Sequence, residues 1–144
     1  MEGWRKMADL NSQSMLVDVV NNQELAPPCD KTLQVRVTHA NEGTARGIWD
    51  VEEKFINGIG VAMGGFVAAA ADIMMAYALA SKIEKNQKFS TIDLHTTFHR
   101  SIMPGNVEVE ARVERLGRSV AYLTADLTQD GHKAASVVSN LLIR

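Results

Sequence analysis

The sequence has a single cysteine, Cys29, among 144 residues. That excludes an intrachain disulfide and any metal site built from several cysteines. Lysine and arginine number 15 against 17 aspartates and glutamates, a formal net charge of −2, and no basic run departs from that balance. Nucleic acid is therefore not an expected partner. Met1 to Leu10 lacks the apolar stretch of a secretory signal, so a reducing, cytoplasmic setting is expected. Repeats, low-complexity tracts and linkers are absent too. One domain over 1–144 is expected, with residues 1–32 as an N-terminal helix and lead-in. A chain of this length can bury roughly two-thirds of its unfolded surface.

What the sequence does have is a glycine-rich loop running into an apolar helix. From Asn57 the chain carries Gly58, Gly60, Gly64 and Gly65, then an apolar run to Ala80 broken only by Asp72. A helix hydrophobic on every side is buried, and a lone carboxylate in it is costly unless paired or used. Val61 to Ala80 is long enough to span a membrane. Alanine and glycine hardly favour lipid, however, and Asp72 mid-span would cost roughly 2.5–3.5 kcal/mol. A protein interior is the expected environment, and no membrane association is expected.

Around that helix the period of the pattern changes. Ser12 to Asn22 has helical spacing at Met15, Leu16, Val19 and Val20, with Ser12 or Ser14 as cap, and ends before Pro27-Pro28. Cys29 follows in a loop, and nothing beside it lowers its pKa. Leu33 to Thr38 alternates as a half-buried strand, Gly43 turns the chain, and Thr44 to Val51 reads as its hairpin partner. The central helix is expected from Gly64 to Lys85. Beyond it the period is two. Phe89 to Arg100 reads as one strand with Ile92, Leu94 and Phe98 on one face and Asp93, His95, Thr97 and His99 on the other. Val107 to Val113, Ala121 to Leu127 and Lys133 to Ile143 follow, separated by Gly117-Arg118-Ser119 and by Asp130-Gly131, a strong hairpin signal. The expected architecture is α+β, an antiparallel six-stranded sheet wrapped around a long central helix. One sheet cannot cover a helix that is apolar all round, so a second copy of the chain is expected against it.

This order, with Asn57, Met63-Gly64-Gly65, Asp72, Thr91, the Phe98-to-Gly105 turn and Gly117-Arg118, resembles the hotdog-fold acyl-CoA thioesterases, in particular their phenylacetate-degradation (PaaI-like) branch. The resemblance covers roughly Leu33 to Arg144. It departs at Met63, where the family commonly has histidine, and at Ser101, where it often has proline. It implies hydrolysis of an acyl-CoA thioester with no cofactor, coenzyme A being part of the substrate. Asp72 would be general base, or nucleophile through an anhydride. Backbone N–H groups at a helix start are free and carry the positive dipole end, so Gly64, with Gly65 beside it, is the natural oxyanion donor. Asn57 would bind the thioester oxygen or water, and Thr91 would orient the water. Thr91 has the parity of Asp93 and His95, so its access requires a bulge or a subunit boundary. Eight helical residues span about 12 Å, so Asp72 cannot easily serve its own Gly64. The family's solution is a homodimer with two shared sites, often doubled into a dimer of dimers.

For the substrate, Met63, Gly65 and Phe66 lie beside the proposed donor, and Phe66, Met74, Tyr77 and Met103 are candidates for the acyl pocket's walls. Arg100, Arg115 and Arg118 are the cations available to coenzyme A phosphates, though each also reads as an ordinary solvated charge. His95 and His99 would stand about 13 Å apart on a strand, too far to share one ion, and no metal is expected. A dinucleotide loop through Gly58, Gly60 and Gly64 is rejected because charged Val51-Glu52-Glu53-Lys54 is no buried parallel strand. A hotdog dehydratase would need a histidine near the glycines, and neither His39 nor His95 is placed there. A non-catalytic acyl-CoA binding protein is the alternative that Met63 raises.

Overall fold

The protein is described by a computed structural model over residues 13–144. The expected first hairpin is present: β1 (Val35–Asn41) pairs antiparallel with β2 (Thr44–Val51) across Glu42-Gly43. Both turn residues have positive φ, 51° and 82°, as a two-residue hairpin turn requires. β5 (Gly105–Leu116), β6 (Val120–Gln129) and β7 (His132–Ile143) form an antiparallel meander, with β5 against β2. Two short strands, β3 (Phe89–Thr91) and β4 (His95–Phe98), follow one another along the outer edge of β7. The sheet order is β1-β2-β5-β6-β7, closed by that edge.

The apolar members of each alternation point to one side. Val37, Trp49, Val107, Ala111, Leu123, Leu127 and Val137 are all buried there. Against them lies α2 (Gly64–Ala80), which packs chiefly on β5 and β2 and buries Val67, Ala71, Met74, Met75 and Leu79. Each fully buried large side chain of this set contributes roughly 1.5–3 kcal/mol. Gly47 makes the close approach possible, since a Cβ there would stand 2.5 Å from Met74 Cε. A sheet wrapped around one long helix is the hotdog fold, as expected.

The structure corrects several boundaries. The sheet has seven strands, because the segment read as one strand over Phe89 to Arg100 breaks at residues 92–94. Thr91 pairs with Leu141 and His95 with Val138. The edge strand thus carries one extra residue, which is a bulge and reverses the faces beyond it. Asp93 holds the break: its carboxylate accepts from the Asn140 N–H at 2.8 Å and from Asn140 Nδ2 at 2.9 Å, while Ser139 Oγ donates to its carbonyl at 2.7 Å. Ile92, expected inward, is 55% exposed for this reason.

The central helix stops at Ala80 rather than Lys85. Ser81 Oγ donates to Ala78 O at 2.7 Å and accepts from the Gly43 N–H at 2.9 Å, which turns the chain toward the first hairpin. The N-terminal helix is a 3₁₀ helix over Gln13–Val20, where Val17, Val19 and Val20 disfavour α winding. Ser12, one of its two candidate caps, lies outside the described residues. The stretch after Pro27, expected as loop, is a short helix, α1 (Pro28–Leu33). Proline at its first position needs no N–H partner there.

Candidate active site

The loop from Asn57 to Met63 sets the start of α2. Asn57 Oδ1 accepts from the N–H groups of Ile59 at 3.0 Å and Val61 at 3.3 Å. Its Nδ2 therefore has no protein partner among the described residues. The Ala62 N–H donates to Ile102 O and the Met63 N–H to Phe55 O, both at 2.8 Å, which ties the loop to the 99–104 turn and to the core. Met63 precedes the helix in extended conformation and gives it no side-chain cap. Phe66 and Val67 donate their N–H groups back to Met63 O. Among the described residues nothing accepts from the N–H of Gly64 or Gly65.

The free donor of Gly64 sits at a cleft of about 430 Å³ lined also by Asn57, Val61, Phe98, Arg100 and Ile102, among others. The Phe98 ring lies over the helix start: a Cβ on Gly64 would stand 2.9 Å from its Cζ. The structure thus brings Asn57, Gly64 and Arg100 together. Gly65 and Met63 are exposed at the same helix start. Phe66 turns away into an aromatic cluster, edge-on to Phe55 at 5.0 Å, with Trp49 beyond. Arg118 lies at the exposed turn between β5 and β6, away from this cleft.

Asp72 is elsewhere. It is half-buried on α2 and accepts from Thr91 Oγ1 at 2.9 Å. The bulge explains how Thr91 gets there. In β3 it pairs with buried Leu141, on the helix side of the sheet, as Phe98 does opposite buried Ala135 after the break. Read without the extra residue, the parity puts Thr91 on the wrong face. Asp72 and Thr91 line a second cleft of about 250 Å³ with Ile73, Ala76, Phe89 and Leu16. One chain therefore holds the carboxylate pair and the glycine donors in separate clefts, as the eight-residue spacing along α2 anticipates. His99, expected on the face of Asp93, His95 and Thr97, lines the glycine cleft, with Nε2 3.0 Å from Ser136 Oγ.

The second cleft also holds a group that the sequence reading missed. Asp30, in the first turn of α1, is 3% exposed and accepts a short hydrogen bond from the Tyr77 hydroxyl. Cys29 Sγ lies 3.4 Å from the other carboxylate oxygen. Burial pushes the Asp30 carboxyl above its ordinary value, and it pushes the Tyr77 hydroxyl far up as well. The Cys29 thiol is raised to about 11 by burial, then by the Asp30 charge. The signal was available: Pro27-Pro28 followed by an acid in the first turn is a helix start. Of the proposed pocket residues, Tyr77 lines this cleft, whereas Met74 is core. Among the described residues no group of three or more histidine, cysteine or acidic side chains is placed to hold a metal ion, and no helix is long and apolar enough to cross a membrane.

The chain is similar to known proteins. A family model described as the thioesterase superfamily matches residues 59–136, from the glycine loop into β7. PA0474 of Pseudomonas aeruginosa, an esterase by name, is 33% identical over 87 residues. Those residues are 60% of this chain and 65% of that protein, so the match spans less than two-thirds of that relative. Among solved structures, the phenylacetic acid degradation-related protein of Ralstonia eutropha is 25% identical with a TM-score of 0.81, over 91% of this chain and 98% of that one. The phenylacetic acid degradation protein PaaI of Thermus thermophilus is similar in fold, with a TM-score of 0.74, 23% identity, and coverage of 81% of this chain and 98% of that one.

Proposed function

The chain belongs to the thioesterase superfamily, and on that premise we propose that it hydrolyses an acyl-CoA thioester to the free acid and coenzyme A. The observation that carries the reading is the Thr91–Asp72 hydrogen bond, 2.9 Å long. It orients a carboxylate in a helix that is otherwise apolar and leaves a hydroxyl oxygen beside it to accept from water. Asp72 takes a proton from that water as it attacks the acyl carbon, or attacks the carbon itself to give an anhydride that water then opens. Negative charge grows on the carbonyl oxygen, which the free N–H of Gly64 receives with Asn57 Nδ2 beside it. Such a donor is worth roughly 10²–10³ in rate. The C–S bond breaks, and coenzyme A leaves as the thiol after taking up a proton. No cofactor is required.

The acceptor of charge and the carboxylate come from two subunits in this reading. A partly exposed stripe on α2, Gly65, Ala68, Ala69, Asp72 and Ala76, supports it: small residues let a second helix approach, with the carboxylate in their midst. A homodimer is the working unit, a homotetramer built as a dimer of dimers the proposed assembly, and the cytoplasm the proposed compartment. Arg100 at the glycine cleft is the cation for a coenzyme A phosphate.

The test is release of free thiol from short, long, branched and aromatic acyl-CoAs, wild type beside Asp72→Asn. Loss of release in the variant is expected; unchanged release ends the assignment. Subunit sharing is read by mixing. Asp72→Asn and Gly64→Pro chains, each inactive alone, should recover roughly a quarter of wild-type activity when co-refolded, because half the dimers are mixed and each holds one intact site. Met63 favours one second reading, a binding protein on the same fold. It requires tight acyl-CoA binding with no thiol released.

A further inference from the structure

The cleft beside Asp72 does not end in hydrocarbon. Its walls, Leu16, Ile73, Ala76 and Phe89, are apolar, but Asp30 and Tyr77 also line it. Both side chains are nearly inaccessible, 3% and 1% exposed. A buried carboxyl is costly unless its oxygens are satisfied. Tyr77 donates to one oxygen; the other has only the weak S–H donor of Cys29 at 3.4 Å. A carboxylate oxygen can accept two hydrogen bonds, so acceptor capacity remains toward the cleft. Tyr77 is five residues beyond Asp72 on the same helix, about 7.5 Å along its axis. The polar pair therefore lines the same cleft as the proposed reacting centre, further along the helix.

We propose that the Asp30–Tyr77 pair is the specificity element of this pocket, accepting a hydrogen bond from a hydroxyl at the far end of the acyl group. The inference rests on the acyl-CoA reading above and adds the substrate class. The hydroxyl belongs about five bonds beyond the thioester carbon, roughly 6 Å in an extended chain that advances ~1.2 Å per bond. An acyl group that ends in a methyl leaves the Asp30 oxygen without a better donor. One that ends in a carboxylate sets a second acid against Asp30, and the pocket disfavours it. A pair that merely ties α1 to α2 would discriminate among none of the three.

The probes are 5-hydroxypentanoyl-CoA, hexanoyl-CoA and glutaryl-CoA, which differ in the terminal group alone. Both binding, by calorimetry, and thiol release are measured. The hydroxylated ester is expected to be preferred over hexanoyl-CoA by at least about tenfold, because a site that hydrogen-bonds a substrate hydroxyl rejects the analogue without it. Glutaryl-CoA should be the poorest of the three. Tyr77→Phe and Asp30→Asn should each shrink the preference, chiefly through KM, and Asp30→Asn should admit glutaryl-CoA. Equal handling of the hydroxylated and plain esters by the wild type overturns the proposal, as does a preference that survives both substitutions. If Asp30→Asn does not fold, as judged by circular dichroism, Tyr77→Phe decides. Binding preference without thiol release from any ester would end the hydrolytic reading while upholding this one; release without preference would do the reverse.

Discussion

Thr91 Oγ1 donates to Asp72 Oδ1 at 2.9 Å across nineteen residues of sequence. The bond joins the edge strand β3 to α2 at the helix's sole carboxylate. Hydrogen bonds to a charged group contribute roughly 1.5–3 kcal/mol. Thr91→Val keeps the shape of the side chain and removes that donor. The expected result is a fall in kcat of about tenfold or more with KM nearly unchanged, and recovery in Thr91→Ser. Steady-state thiol release checks it.

At the other cleft the ring of Phe98 sets the outcome. A methyl group on Gly64 would meet Phe98 Cζ at 2.9 Å, and that ring is 56% exposed. It can therefore swing away at little cost to the fold. Gly64→Ala should leave the melting temperature within a few degrees of wild type, since exposed rearrangements cost little. The displaced ring should obstruct the cleft and raise KM several-fold. Adding Phe98→Leu should restore KM, and kinetics of the single and double variants check the coupling.

Asp30 makes stability depend on pH in the less common direction. Its carboxyl is raised above the ordinary value of 3.8, chiefly by burial and against the opposing hydrogen bond from Tyr77. The folded state thus favours the protonated acid. That contribution is present below the ordinary value and is lost as pH rises through the raised one. Asp30→Asn, permanently neutral, should melt near the wild type at about pH 4 and above it by pH 8. A series of thermal melts across that range reads the sign directly.

Cys29 is exposed as a residue, but its sulfur is part-buried 3.4 Å from Asp30 Oδ1, and the thiol is raised from 9.0 to about 11 by that burial and then by Asp30. The thiolate is the reacting form, so alkylation by iodoacetamide at pH 8 should run roughly a hundredfold slower than for an unperturbed thiol. Asp30→Asn should speed it.

The long-range plan of the molecule was legible because it rests on period. The alternation in β1, β2, β5, β6 and β7 and the apolar run of α2, broken only by Asp72, each leave one place for a side chain to go. The separation of Gly64 from Asp72 followed from helix geometry, whereas their proposed roles came from the family resemblance. What escaped depended on single local bonds. Ser81 ends α2 by taking the Ala78 carbonyl, although Lys82 to Lys85 suits a helix's last turn well. The first-turn acid of α1 was hidden because two adjacent prolines read as a loop. Thr91 was placed by family pattern against its own parity, and only the Asp93–Asn140 pairing resolves that conflict.

That pairing has a consequence for how this segment can vary. The extra residue between Thr91 and His95 lets one edge strand present its first half and its second half in opposite phase. Substitutions within it alter single side chains. Removing one residue would leave two residues facing two on β7, so β4 would keep its register with Phe98 at the helix start, and what would be lost is the grip of Asp93 on Asn140. The break is thus kept by what Asp93 bonds to, and the face that β4 presents is set by its partners on β7.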